Sequence, residues 1–408
     1  MSKTCIIIGA SHAAAQLAPS LRQEGWEGKI LVIGDEPYMP YHRPPLSKAV
    51  LSGEKKIDDL LIRAQALYDK NDIEFKLNTR VANINRAHKS LTLTNGEVLN
   101  YDKLALCTGS RVRTVSLPGV DLDGIHYLRD MKDTESIQQE IAAGKNAVIV
   151  GGGYIGLETA ASLKKMGMNV TVLEMAPRVL ARVTAPALSE FYTRVHSDEG
   201  VIIKTGIAVS GFEGSNGRVE KVTCGDGTSL PADLVVIGVG IVPNVELAEA
   251  AGLTVENGIV VDEFARTNDP DIVAAGDCAN HPNALYGERL RLESVPNATE
   301  QAKSAAASIC GKETAYHALP WFWSDQYDLK LQIAGLSQGY DQVVIRGDKD
   351  NTRSFVAFYL KEGKLISADC VNRPQEFMIS KRLISTGAEV DPERLADESI
   401  KPKDLVPA

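Results

Sequence analysis

The chain has 408 residues, of which 44% are apolar and 24% charged, and a formal net charge of −9. At roughly 100–200 residues per domain it has room for two to four domains with buried cores. The acidic balance argues against general binding to nucleic acid or to an anionic membrane, though not against a local basic patch, and no apolar run approaches the ~18 residues of a membrane span.

From the N-terminus, Met1 to Thr4 leads straight into the strand-like run Cys5 to Ile8. That leaves no room for a secretory signal peptide, and a cytoplasmic location is expected. Residues 5–36, CIIIGASHAAAQLAPSLRQEGWEGKILVIGDE, read as strand, turn, Ala/Leu-rich helix, Gly turn and second apolar strand. This is a βαβ unit, and it predicts a parallel sheet. In the dinucleotide fingerprint G-x-G-x-x-G, the first Gly makes the turn, the second admits the diphosphate and the third lets helix and strand pack. Here those positions are Gly9, Ser11 and Ala14, so two glycines are replaced by other small residues. The acid expected about 20 residues on, for a ribose diol, is Asp35 or Glu36, with Asp35 preferred. A helix starting near Ser11 would offer its N–H groups and positive dipole end to a diphosphate.

Residues 76–101 alternate apolar and polar and contain Asn95-Gly96, a tight-turn dipeptide; they predict an antiparallel layer. Residues 146–175, NAVIVGGGYIGLETAASLKKMGMNVTVLEM, form a second βαβ unit, with Gly151, Gly153 and Gly156 matching the fingerprint in full and Glu174 ending the next strand. Two such units imply two dinucleotide sites. A carboxylate at position 174 would accept hydrogen bonds from both ribose hydroxyls. It would repel a 2′-phosphate by about 4 kcal/mol at about 4 Å and an effective dielectric near 20, which favours NADH; Arg178 and Arg182 soften this, because an arginine can receive a 2′-phosphate. A second antiparallel layer is expected around 203–230. Beyond Pro320 strand and hairpin signals return, followed by a short helix near 376–385, and residues 397–408, DESIKPKDLVPA, read as a loose tail. The six cysteines, at 5, 107, 224, 278, 310 and 370, are scattered and form neither a Cys-x-x-Cys pair nor a cluster, so no metal or iron–sulfur site is expected.

Three further phrases carry a resemblance. RTNDPDIVAAGDCA (266–279) looks like the second FAD signature of the glutathione-reductase-like flavoproteins, and LALCTGS (104–110) and IGVGIVPN (237–244) resemble their two interdomain crossings. RPPLSK (43–48), LESVPNATEQA (292–302) and PWFWSDQ (320–326) are similar to the ferredoxin reductases of bacterial oxygenase systems, such as those serving biphenyl-type dioxygenases. The resemblance implies an α/β chain of glutathione-reductase-like fold: two Rossmann-like dinucleotide-binding domains with antiparallel β layers and an α+β C-terminal domain. The implied parts are an FAD-binding domain (1–112 and 245–320), an NADH-binding domain (113–244) and a C-terminal domain (321–408). It implies a flavoprotein that moves a hydride from NADH to FAD, then single electrons to a separate two-iron, two-sulfur ferredoxin feeding a Rieske dioxygenase or a haem-thiolate monooxygenase. Disulfide reductases of this fold carry two redox cysteines where this chain has RPPLSKAVL, so electrons are expected to leave for an external acceptor. The rivals are an NADH oxidase or diaphorase, a rubredoxin reductase, and a signalling flavoprotein resembling apoptosis-inducing factor.

The resemblance also assigns residues. FAD is expected at Gly9, Ser11, Ala13, Ala14, Asp35, Lys48, Val81, Arg129, Asp277 and the backbone of Val295, which precedes a helix expected over 297–310. NADH is expected at Gly151, Gly153, Tyr154, Ile155, Gly156, Glu158, Glu174, Arg182 and Gly240. Lys48 and Glu158 are expected to pair beside the nicotinamide, since a buried charge needs a partner. Trp323 is expected beside the isoalloxazine. Arg289, Arg291 and, more weakly, Lys303 are candidates for steering an acidic ferredoxin.

Overall fold

The computed structural model describes residues 3–406. The chain divides into two compact units. The first holds 1–42, 57–111 and 241–320, and the second holds 43–56, 112–240 and 321–408. The segment expected to bind NADH, apart from 241–244, and the segment expected to form the C-terminal domain thus fall in one compact unit, together with 43–56.

The first unit is built on a five-stranded parallel sheet in the order Ile272–Ala274, Lys103–Leu106, Thr4–Ile8, Lys29–Ile33, Ile73–Lys76. Its strands other than Ile73–Lys76 carry apolar runs, Cys5 to Ile8, Ile30 to Ile33, Leu104 to Leu106 and Ile272 to Ala274, because both faces are covered. On one side the helices His12–Glu24 and Val295–Ile309 bring Ala13, Leu17, Ala302 and Ala305 into the core. Pro19 lies inside the first helix and cannot donate to the Ala15 carbonyl; Arg63 Nε donates to that carbonyl instead, at 3.1 Å. The expected antiparallel layer is present as Val81–Asn85, Ser90–Leu93 and Val98–Asn100.

In the second unit a parallel sheet runs Ile202–Thr205, Asn169–Glu174, Asn146–Val150, Leu234–Ile237, Ile125–Tyr127. Its antiparallel layer is Val209–Ser215, Arg218–Cys224 and Ser229–Pro231. A five-stranded antiparallel sheet follows, in the order Trp321–Gln326, Leu329–Gly335, Lys364–Val371, Phe355–Lys361, Gln342–Gly347. Leu51, Leu157, Phe191 and Tyr359 share one core, which is why 43–56 clusters with this unit.

The tail differs from expectation. Through Val406 it is anchored rather than loose. Arg346 is 2% exposed and donates to the carbonyls of Asp397 and Ile400, both at 2.6 Å. Leu405, in the short helix Pro402–Leu405, is buried. A buried guanidinium has five donors to satisfy, and chain carbonyls satisfy three of its bonds here, Leu395 included; sequence polarity does not reveal such an anchor.

Candidate functional site

In the first unit the turn after Thr4–Ile8 is made by Gly9, at φ +105°, where a Cβ would stand 2.1 Å from the Cys107 carbonyl oxygen. Ser11 takes the extended N-cap position of His12–Glu24, and no side chain makes the capping bond. Ala13 and Ala14 are buried. A Cβ on Gly276 would lie 3.3 Å from Ala13 Cβ and 3.7 Å from Ala298 Cβ. The first glycine turn, the Gly276-Asp277 pair and the opening turn of the helix Val295–Ile309 therefore converge. The Gly276 N–H donates to Gln301 Oε1 at 2.9 Å, and Asp277 Oδ2 accepts from the Ser110 hydroxyl at 2.7 Å. That helix begins at Val295, two residues earlier than expected, because Ser294 caps it: its Oγ accepts from the Asn297 N–H at 3.3 Å. Glu36 accepts from the Tyr41 hydroxyl at 2.6 Å, whereas Asp35 is exposed. Val81 is buried at the start of its strand.

The second turn lies wholly in the second unit. Gly151 has φ +114°, and a Cβ there would meet the Gly238 carbonyl oxygen at 2.3 Å; one at Gly156 would meet the Gly151 carbonyl oxygen at 2.1 Å. At Gly153 a Cβ would touch nothing within 4 Å. Protein packing thus demands the first and third glycines, while the middle one leaves open space at a helix N-terminus with no side-chain cap. Tyr154 and Ile155 open that helix; Ile155 is exposed, and the Tyr154 hydroxyl is buried with no hydrogen-bond partner among the described residues. Glu174 ends its strand with its carboxylate fixed: Oε2 accepts from the Gly152 N–H at 2.6 Å and Oε1 from the Ala176 N–H at 2.7 Å. Arg178 is committed to Ser189 Oγ (2.7 Å) and the Ala181 carbonyl (3.0 Å). Arg182 is exposed, with one guanidinium nitrogen 4.0 Å from the Cβ position of Gly240.

Lys48 and Glu158 do pair. Lys48 follows the short helix Pro44–Ser47, and its Nζ lies 2.5 Å from Glu158 Oε2. It also donates to the Pro44 carbonyl at 2.9 Å. Glu158 is 2% exposed. Its Oε2 also accepts from the Ser47 hydroxyl, and Oε1 accepts from the Ser324 hydroxyl, each at 2.6 Å. The four groups belong to one unit.

Trp323 lies in the strand Trp321–Gln326, partly exposed, with its ring 5.5 Å from that of Trp321. Alternation along the strand puts both tryptophans on the face opposite Ser324. Arg129 accepts at its carbonyl from Arg43 Nη1 at 2.9 Å, and its N–H donates to Asp133 at 2.8 Å. Arg289 donates to the carbonyls of Val261 and Asn280, both at 2.6 Å, and Arg291 is paired with Glu293 at 2.7 Å. Lys303 pairs with Glu300 at 2.7 Å. Each of these three charges has an internal partner.

The family model described as pyridine nucleotide-disulphide oxidoreductase matches residues 3–302, and one described as reductase C-terminal matches 321–406. The chain belongs to the pyridine nucleotide-disulphide oxidoreductase family. It is 45% identical over 408 residues to putidaredoxin reductase CamA of Pseudomonas putida, covering 99% of this chain and 96% of that protein. It is 40% identical over 400 residues to the anthranilate 1,2-dioxygenase system ferredoxin–NAD(+) reductase component of Burkholderia cepacia, covering 97% of each. The crystal structure of the covalent putidaredoxin reductase–putidaredoxin complex superimposes with a TM-score of 0.95 at 45% identity, over 99% of this chain and 98% of that one.

The cofactors of this pyridine nucleotide-disulphide oxidoreductase are FAD and NAD(H), and the residues present fit them. The open space at Gly153 beside an uncapped helix start suits a diphosphate, and the fixed Glu174 carboxylate keeps acceptor capacity for ribose hydroxyls. The disulphide of the family's description has no counterpart here. All six cysteines are free, and burial raises the thiol pKa of Cys5, Cys107, Cys278 and Cys370, away from the reactive thiolate. Segment 43–56 contains no cysteine.

Ser47 and Ser324, which complete the shell of Glu158, went unnoticed in the sequence. The alternation in WFWSDQ was the available signal: it separates Trp321 and Trp323 from Ser324 and Gln326, and the latter pair is buried. Ser110, which orients Asp277, left no signal beyond its place at the end of LALCTGS.

Proposed function

We propose that the chain is an FAD-dependent NADH:ferredoxin oxidoreductase of an oxygenase system, its acceptor a two-iron, two-sulfur ferredoxin that feeds a Rieske dioxygenase or a haem-thiolate monooxygenase. FAD, when bound, supplies the conversion of one hydride into two single electrons. The protein's own groups position and stabilise. Gly9, Ser11, Ala13 and Ala14 line the first helix start, where a diphosphate is favoured. Asp35 remains for a ribose diol and Asp277, oriented by Ser110, for the ribityl chain. The N-terminus of Val295–Ile309 directs its positive dipole end at negative charge accumulating on reduction. On the nicotinamide side, Gly151, Gly153, Tyr154, Ile155 and Gly156 present the second helix start, with Arg182 and Gly240 at its edge. Glu174 selects NADH over NADPH, and the commitment of Arg178 to Ser189 removes one arginine that would otherwise receive a 2′-phosphate. Lys48 and Glu158 hold a fixed charge pair for the nicotinamide. Val81, Arg129 and Trp323 complete the assigned contacts, and the three-part division at 112/113, 244/245 and 320/321 follows these roles. A cytoplasmic location, where NADH is available, is part of this proposal.

The observation that carries this reading is the pairing of Lys48 with the buried Glu158, with no thiol in the segment 43–56 that holds Lys48. Such a site would position a nicotinamide, and it offers no internal disulfide to take the electrons onward. Anaerobic titration of the purified yellow protein with NADH is expected to bleach the flavin, and cytochrome c reduction is expected to need added ferredoxin. A colourless protein, or equal cytochrome c reduction without ferredoxin, would overturn it. Rapid electron flow to rubredoxin but not ferredoxin would reassign the acceptor.

A further inference from the structure

The strand Trp321–Gln326 carries a second line of chemistry on its buried face. Ser324 is 0% and Gln326 2% exposed. Beyond the Ser324–Glu158 bond, Gln326 Nε2 lies 3.2 Å from Ser324 Oγ, Gln326 Oε1 lies 2.8 Å from His196 Nε2, and His196 Nδ1 lies 3.1 Å from the Tyr327 hydroxyl. All of these groups lie in the second unit.

The proton positions follow by elimination. An ionised Glu158 paired with Lys48 only accepts, so the single Ser324 proton goes to Oε1 and Ser324 Oγ accepts from the Gln326 amide. That orients the amide and leaves its oxygen toward His196, whose Nε2 must then carry the proton. Burial lowers the His196 pKa, so the ring is neutral and Nδ1 accepts from the Tyr327 hydroxyl. Every donor in the series Tyr327, His196, Gln326, Ser324 therefore points toward Glu158. Tyr327 is held at φ +55°, a left-handed conformation uncommon for a bulky residue.

The load on the two Glu158 oxygens is unequal. Oε2 has Ser47 and Lys48; Oε1 has Ser324 alone among the described residues. Without Ser324 the carboxylate is free to turn, and the Lys48 ammonium with it. We propose that Ser324, Gln326 and His196 are positioning residues, a directed hydrogen-bond series by which the strand Trp321–Gln326 holds Glu158 and so sets the rate at which NADH reduces the bound flavin. This rests on the oxidoreductase reading above.

The test is anaerobic rapid mixing of FAD-loaded protein with a range of NADH concentrations, which separates the limiting flavin-reduction rate from NADH affinity. Ser324→Ala is expected to lower the limiting rate by about tenfold or more while NADH half-saturation changes by less than about twofold, since a small misplacement of an orienting group acts on the reaction geometry rather than on binding. Gln326→Met is expected to act in the same direction, by about threefold or more, and His196→Phe less strongly. These two also serve if Ser324→Ala does not fold. Wild-type limiting rates in the folded variants, or a loss confined to NADH affinity, would overturn the proposal and leave the function reading standing. A wild-type flavin that NADH does not reduce would remove both.

Discussion

Neutralising Lys48 alone strands a charge. In Lys48→Met the Glu158 carboxylate, 2% exposed, keeps only the Ser47 and Ser324 hydroxyls. Removing one partner of a fully buried pair costs about 3–5 kcal/mol. Lys48 retains 21% of its side-chain exposure and two hydroxyl donors remain, so about 2–3 kcal/mol is the expected loss. At about 2–4 °C per kcal/mol for domains of 150–250 residues, the thermal midpoint should fall by roughly 5–10 °C. The double variant Lys48→Met with Glu158→Gln removes both charges and should recover most of that loss, because a neutral pair of similar volume leaves no uncompensated ion. It should not recover flavin reduction, which needs the charges. Scanning calorimetry on FAD-saturated protein, with flavin reduction by NADH measured in parallel, checks both. A single variant as stable as wild type, or a double variant no more stable than the single, would refute the claim that the pair is held by its mutual charge.

Three other outcomes are expected. Glu174→Ala should narrow the preference for NADH over NADPH by about tenfold to a thousandfold, read as the ratio of kcat/KM values, since up to about 4 kcal/mol of repulsion is lost. His281 is 1% exposed, with both ring nitrogens lacking a hydrogen-bond partner among the described residues, and burial lowers its pKa to about 4. Its unfolded pKa is near 6.5, so between the two values the unfolded chain binds more protons, and stability is complete above the upper one and lost as pH falls. About 2 kcal/mol should be gone by pH 5, and His281→Phe should flatten the fall in thermal midpoint between pH 7 and 5. Arg346→Met should free residues 397–406 and expose them to limited proteolysis, because the Asp397 and Ile400 carbonyls lose their donor; a tail cleaved no faster than in wild type would count against the anchor.

Local pattern made both glycine turns readable. In GGGYIG the first and third fingerprint positions, Gly151 and Gly156, are ones where packing leaves no room for a side chain, and both were present as glycine. In the first turn the third position tolerates Ala14, which is buried at 1% exposure, so the weaker motif still marked the right place. Alternation and turn dipeptides located the antiparallel layers: Asn216 and Gly217 both take positive φ at their hairpin. The tail was misread because the polar run 397–404 conceals carbonyls that a distant guanidinium collects. Arg178 looked available in sequence, but the Ala181 carbonyl and the Ser189 hydroxyl, three and eleven residues on, claim it.

The order of residues along the chain was enough to determine the two nucleotide-binding βαβ units, the acid closing the second, and the missing thiols after the first. Those features act over a single turn or a single βαβ unit, where steric and hydrogen-bonding rules are local. Tertiary structure alone decided what holds Glu158. Its partners come from residues 47, 48 and 324, more than a hundred positions away on either side, and no local rule reports which distant hydroxyl will reach a buried carboxylate. A charge removed from water takes whatever donors the fold brings to it.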